Sequence, residues 1–189
     1  MAEVVKVPEF RASYAYVFDA RKNDLNGKME FTIDMVWPKS TDLSAVKAAI
    51  KAVAKEKWGD KMPENLRSPL KSQDAKADKE PYEVGGFYIT AKSEQKPGVV
   101  GTKVDSLTGK LTPLDQTEFF SGCYAVATVH FFAYDQKGNR GVSATLHNIQ
   151  MTREGPSLGN RTRPEDDFEP VDAAAGGESA GGTAASIFD

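Results

Sequence analysis

The side chains best suited to chemistry in this chain stand in a row. Over residues 123–135, Tyr124, Val126, Thr128, His130, Phe132 and Tyr134 occupy one parity, and Cys123, Ala125, Ala127, Val129, Phe131 and Ala133 the other. A strand sends alternate residues to opposite faces. One face is therefore small and apolar, fit for a core, while the other carries rings, hydroxyls and an imidazole. A turn over residues 136–141 follows, bearing Lys137 and Arg140, and Val142, Ala144 and Leu146 then resume the alternation, which is the pattern of a β-hairpin. A shorter run at 86–92 sets Tyr88, Thr90 and Lys92 opposite Phe87, Ile89 and Ala91. Rings offer stacking platforms to bases, and cations attract phosphates. Tyr88, Lys92, Tyr124, His130, Phe132, Tyr134, Lys137 and Arg140 are thus the expected contacts of a single-stranded nucleic acid. Parity leaves one competing explanation open for Tyr88, Tyr124, Phe132 and Tyr134: a second layer of core, or burial beneath a long loop.

Other chemistry is sparse. No phosphate-cradling loop, dinucleotide glycine fingerprint or zinc spacing occurs. His130 and His147 fall on adjacent predicted strands with no cysteine near them. Cys123 is the only cysteine, which excludes an internal disulfide and a cysteine zinc site. Its place on the small face predicts a buried, inert thiol. Asp19, Asp34 and Asp135 could serve a metal-dependent nuclease, but at strand ends or on polar faces they read more simply as solvated charges. The expectation is a protein with no catalytic residues, no metal and no cofactor.

The elements that position the aromatic row follow from periodicity. Residues 11–19 place Ala12, Tyr14, Tyr16 and Phe18 on one parity and predict a first strand, ended by a polar loop over 20–28 with an Asn26-Gly27 turn signal. Residues 29–37 alternate almost without fault, with Met29, Phe31, Ile33, Met35 and Trp37 inward and Glu30, Thr32 and Asp34 outward; Pro38 ends this second strand. Capping chemistry at Ser40, Thr41 and Asp42 precedes Leu43, Val46, Ile50 and Val53 at helical spacing, and Gly59 supplies a C-cap. The lysines of this helix, predicted over 42–58, read as a solvated face. Residues 61–84 lack periodicity and read as a long exposed loop. A third strand at 86–92, the connection through Lys96, Lys103 and Gly109, and the hairpin complete the body.

Length and charge bound the rest. The chain has 189 residues, enough for one domain with a sizeable core. No run approaches the ~20 apolar residues of a membrane helix, and the opening MAEVVKVPEF lacks a secretory pattern. An intracellular protein that keeps away from membranes is expected. The net charge of −3 hides a split: all 24 Lys and Arg and 20 of the 27 Asp and Glu lie in residues 1–164, at +4, while the other seven acids put residues 165–189 at −7. The last part is rich in Gly, Ala and Ser and cannot bury enough apolar area to offset its chain entropy. It is predicted to be a disordered acidic tail, yet it ends Ile187-Phe188-Asp189. Such an arm suits mimicry of polyphosphate or a short anchor to other proteins.

The elements add up to a mainly β domain over residues 1–160, a five-stranded β-barrel of the oligonucleotide-binding (OB) type with one helix inserted before the third strand, followed by the tail at 161–189. The segments EFFSGCYAVATVHFFAYDQKGNRGVSATLHNIQ (118–150), REGPSLGNRTRPEDDF (153–168) and FDARKNDLNGKMEFTIDMVWPK (18–39) resemble the OB-fold single-stranded-DNA-binding proteins of phages. The resemblance covers most of the chain. It implies sequence-tolerant, non-catalytic binding of single-stranded DNA in phage replication or recombination, in the host cytoplasm. The acidic arm itself, including Asp166, Asp167, Phe168, Ile187, Phe188 and Asp189, is the expected contact with other replication proteins. Tails of such proteins often finish on Phe; here Phe188 is penultimate and Asp189 last. A protein-interaction module of a replication complex and a metal-dependent nuclease are the rival classes.

Overall fold

In β1 (Val4–Lys22) a single strand of 19 residues serves two neighbours. Its first half pairs with β7 (Tyr124–Gln136) and its second half with β2 (Met29–Trp37), both antiparallel. A straight strand of that length would span about 60 Å. The chain instead bends at register shifts, one between Val7 and Phe10 beside Pro8 and one between Ser13 and Tyr16. This computed structural model describes residues 3–159, within a compact unit spanning Met1–Gly159. The predicted tail over 161–189 lies outside the described residues, and with it Asp166, Asp167, Phe168, Ile187, Phe188 and Asp189.

After β2 come α1 (Ser44–Trp58), the short β3 (Leu70–Ser72), β4 (Phe87–Ser93), β5 (Gly98–Val104), β6 (Leu111–Pro113), β7 and β8 (Asn139–Arg153). β1, β2, β4, β8 and β7 close into a five-stranded barrel, because β4 also meets β8 in parallel at Lys92 and Thr145. The helix enters before the third barrel strand, so the expected OB-type barrel with one inserted helix is what the chain forms. The expected connection through Lys96, Lys103 and Gly109 instead forms β5 and β6, a ribbon on β8.

The barrel is filled as alternation dictates. Cys123, Ala125, Ala127, Val129 and Phe131 are buried, with Ile33, Met35 and Trp37 of β2 and Ala144, Leu146 and Ile149 of β8. Small side chains on β7 let the opposite wall approach closely. α1 lays Val46, Ile50 and Ala54 on the same core. Asp42 accepts the Ser44 N–H at 2.9 Å although Leu43 holds the N-cap position, and Gly59 ends the helix with φ 59°.

Three expectations need correction. Met29 is 56% exposed at the mouth of β2, where no layer covers it. Glu30 and Asp34, expected to be solvated, are both buried. The segment 61–84 is no open loop: after β3 it makes one 3-10 turn, Asp74–Lys76, and packs on the outer face of β2 and β4. Gln73 is fully buried there, donating to the Trp37 and Phe87 carbonyls at 2.8 and 2.6 Å and accepting the Glu83 N–H at 2.7 Å. Asp34 accepts bonds from Tyr82 Oη at 2.8 Å and Thr90 Oγ1 at 2.6 Å, with Lys76 Nζ at 3.3 Å. Polar groups satisfied this fully make a buried network rigid. Burial, with the Asp34 charge beside it, pushes the Tyr82 phenol pKa upward.

Candidate nucleic-acid interface

The β7–β8 hairpin turns through Lys137 and Gly138, both with positive φ, 50° and 82°. That is the two-residue turn whose twist matches the flanking strands. It carries the register from Gln136 and Asn139 back to Tyr134 opposite Gly141 and Phe132 opposite Ser143. Gly141 has to be glycine, since a Cβ there would lie 2.6 Å from Tyr134 Oη and 2.7 Å from the Arg67 carbonyl. The Arg67 backbone bonds to both flanks of Gly141, donating to Arg140 O and accepting from Val142 N. The Tyr134 phenol thus lies directly against Gly141.

One wall of an open groove of about 950 Å³ is this hairpin. The opposite wall is the β1–β2 loop with Asn23, Leu25 and Asn26, and Lys92 and Lys96 come from β4 and the turn after it. Of the residues expected from sequence, Lys92, Phe132 and Tyr134 line this groove together. Phe132 is 39% exposed, far more than a core ring would be. His130 stacks beside it, ring centroids 6.3 Å apart and planes at 27°, and His147 meets His130 edge-on at 6.5 Å. Lys137 stands exposed at the hairpin tip; Arg140, next to it, is held by Asp135 at 3.0 Å.

Two expected residues stand elsewhere. Tyr88 has the outward parity that the sequence gives it, but it is only 8% exposed. It is packed edge-on against Tyr82 beneath the 73–82 segment, with Lys76 Nζ 4.4 Å from its ring centroid, so no base reaches it. Tyr124 lies eight residues along β7 from Phe132, roughly 26 Å away. Its ring faces are taken by Arg153 at 3.4 Å and Arg11 at 5.9 Å, and Glu9 holds Arg153 at 3.1 Å. It belongs to a different surface.

Sequence reasoning passed over Asn23, Asn26, Glu30 and Lys96. Glu30 accepts bonds from Asn23 Nδ2 at 2.7 Å and Asn26 Nδ2 at 2.9 Å, and Lys92 Nζ is 3.6 Å away. Burial raises its pKa, but the two asparagines and Lys92 outweigh that, and the carboxyl sits below its ordinary value. One carboxylate therefore ties the loop wall to the groove's lysine. The signal available for it was Asn-Gly in a polar loop next to an acid that alternation wrongly placed in water. Among the described residues, no group of three His, Cys, Asp or Glu is placed to hold a metal ion, and no helix is long and apolar enough to cross a membrane.

An OB barrel uses the face of its second and third strands, between the loop joining strands one and two and the loop joining strands four and five, to hold oligonucleotides. In this chain those parts are β2, β4, the 23–28 loop and the β7–β8 turn, the same parts that enclose the groove. The barrel fold itself recurs in known proteins. The single-stranded DNA-binding protein from bacteriophage Enc34, solved in complex with ssDNA, has a similar fold at TM-score 0.66 and 19% identity, covering 82% of this chain and 89% of that one. The single-stranded DNA-binding protein gp2.5 encoded by bacteriophage T7 matches at TM-score 0.60 and 12% identity over 98% of this chain and 100% of that one. Putative protein p50 of Acyrthosiphon pisum secondary endosymbiont phage 1 is 31% identical over 180 residues, 90% of this chain and 95% of its own. The family model described as Enterobacter phage Enc34, ssDNA-binding protein, matches residues 3–178, and this chain belongs to that family.

Proposed function

We propose that this chain is a non-catalytic protein that binds single-stranded DNA with little regard to sequence, in phage DNA replication or recombination inside the host cell. The observation that carries the reading is the groove in which Phe132, Tyr134, Lys92 and Lys96 converge between the two loops that an OB barrel uses. Membership of a family named for a single-stranded-DNA-binding protein supports it. Bases stack on the rings and on His130, and Lys92, Lys96, Lys137 and Arg140 follow the backbone. Every base has a π-face, so this mode tolerates any sequence. Titration of labelled oligo-dT and of a duplex across a salt series tests it. Tighter binding of the single strand, weakening as salt rises, is expected; equal affinity at low and high salt would overturn the reading.

Residues 165–189, at −7, compete with DNA for the groove in this proposal and present Asp166, Asp167, Phe168, Ile187, Phe188 and Asp189 to replication proteins. Deleting them should tighten binding. Unchanged affinity would leave only the contact with other proteins.

A further inference from the structure

Strand register carries a second set of rings to the groove's face. Tyr16 on β1 pairs with Thr32 on β2, Thr32 with Lys92 on β4, Lys92 with Thr145 on β8, and Thr145 with His130 on β7. Directly paired residues share a face. These five therefore form one row across the outside of the barrel, about four strand spacings or roughly 19 Å long. The hairpin end of the row has His130 and Phe132, and its middle has Lys92. At the far end the Arg21 guanidinium lies 3.6 Å from the Tyr16 ring centroid, and both residues line a pocket of about 350 Å³.

Tyr14 stands next to Tyr16 at the β1 bulge. Its φ of 45° is a conformation that L side chains rarely adopt, and its ring is 49% exposed, so burial returns little for the strain. Lys76 Nζ lies 5.8 Å from that ring's centroid. Bulges recur beside functional sites, where they re-aim a side chain. This one turns a ring into solvent at the end of a row that already leads to the groove.

Resting on the reading of that groove as a single-strand site, we propose that Tyr14 and Tyr16, backed by Lys76 and Arg21, form a second stacking platform. A single strand crosses the barrel from Phe132, passes its backbone over Lys92 and stacks further bases on β1. Short strands occupy either platform; longer ones span both and gain the second set of stacking contacts. The binding site is thus set by two aromatic ends and a cation between them.

The test compares oligo-dT of about 4 and about 16 nucleotides, the range that one OB fold takes, in wild type, Phe132→Ala, Tyr16→Ala and Tyr14→Gly. The expected result is that the affinity advantage of the longer strand falls by roughly 5- to 150-fold in Tyr16→Ala, and falls likewise in Phe132→Ala. Tyr14→Gly, which removes the ring and suits the positive φ, should lose part of the same advantage while melting no lower than wild type. If Tyr16→Ala and Tyr14→Gly keep the full advantage while Phe132→Ala weakens both lengths, the second platform is wrong and the groove stands. If wild type binds neither length in a salt-dependent way, the groove reading itself falls.

Discussion

Replacing Asp135 by Asn should make DNA binding both tighter and more sensitive to salt. Two cations line the hairpin groove, Lys92 and Lys96, and two more stand exposed at the hairpin tip, Lys137 and Arg140. Lys92 is paired with Glu30 at 3.6 Å and Arg140 with Asp135 at 3.0 Å, whereas Lys96 and Lys137 join no ion pair among the described residues. A phosphate that takes Arg140 away from Asp135 strands a carboxylate, which must recruit a cation from solution, so the net release of counterions is near zero. Lys96 and Lys137 release theirs in full. At about 0.7 per phosphate contact on a single strand, two free cations give a slope of log affinity against log salt near −1.4, or about a 7-fold loss for a fourfold rise in salt. Asp135→Asn frees Arg140 and takes the slope to about −2.1, an 18-fold loss; Lys137→Ala takes it to about −0.7, a 2.6-fold loss. Fluorescence anisotropy with a groove-length oligo-dT between about 50 and 200 mM salt separates the three. A slope for Asp135→Asn equal to or shallower than that of wild type would refute the reasoning, since pairing would then not decide which cations count.

Further outcomes follow from the same geometry. Phe132→Ala should weaken oligo-dT binding by about 1–3 kcal/mol with little change in thermal melting, because the residue stands 39% exposed outside the barrel core; a collapse of melting would make it core. Gly141→Ala should destabilise the fold by about 1–3 kcal/mol, read by denaturant midpoint, because the Arg67 carbonyl and the Tyr134 phenol occupy the space a Cβ needs. Glu30 has a folded pKa below its ordinary value, so its bonds to Asn23, Asn26 and Lys92 add stability that is complete above the unfolded value and disappears as pH falls through the folded one. Melting curves of wild type and Glu30→Ala should therefore lie apart near neutral pH and converge well below pH ~4.3; a constant gap would show that only packing is lost.

How far these features were legible depended on whether order came from local alternation or from distant partners. β2 was readable end to end, because Ile33, Met35 and Trp37 alternate without interruption and Pro38 stops them. The hairpin was readable because Lys137-Gly138 provides the turn and both arms keep period two. The first half of β1 was not, since Pro8 breaks the pattern where the strand bends toward β7. β5 carries Gly98 and Gly101 and takes its strand character from pairing with β8. The 61–84 segment owes its shape to Gln73, Lys76 and Tyr82 reaching polar partners on β2 and β4, and such bonds leave no period in the sequence. For the site, Tyr88 and Phe132 are equivalent in parity. Only the segment that folds over one and leaves the other open tells them apart.

The barrel's closure has a mechanical meaning. Thirteen registered pairs fasten β7 to β8, but among the described residues β4 and β8 share one registered pair, Lys92 and Thr145. That seam is the line along which the ring should open most cheaply, as local openings draw on the least fastened parts of a fold. It runs along the floor of the groove. A chain of nucleotides laid across it would act as a clasp, holding shut the one joint that the protein itself closes with a single stitch, and amides on both sides of the joint should exchange more slowly once it is in place.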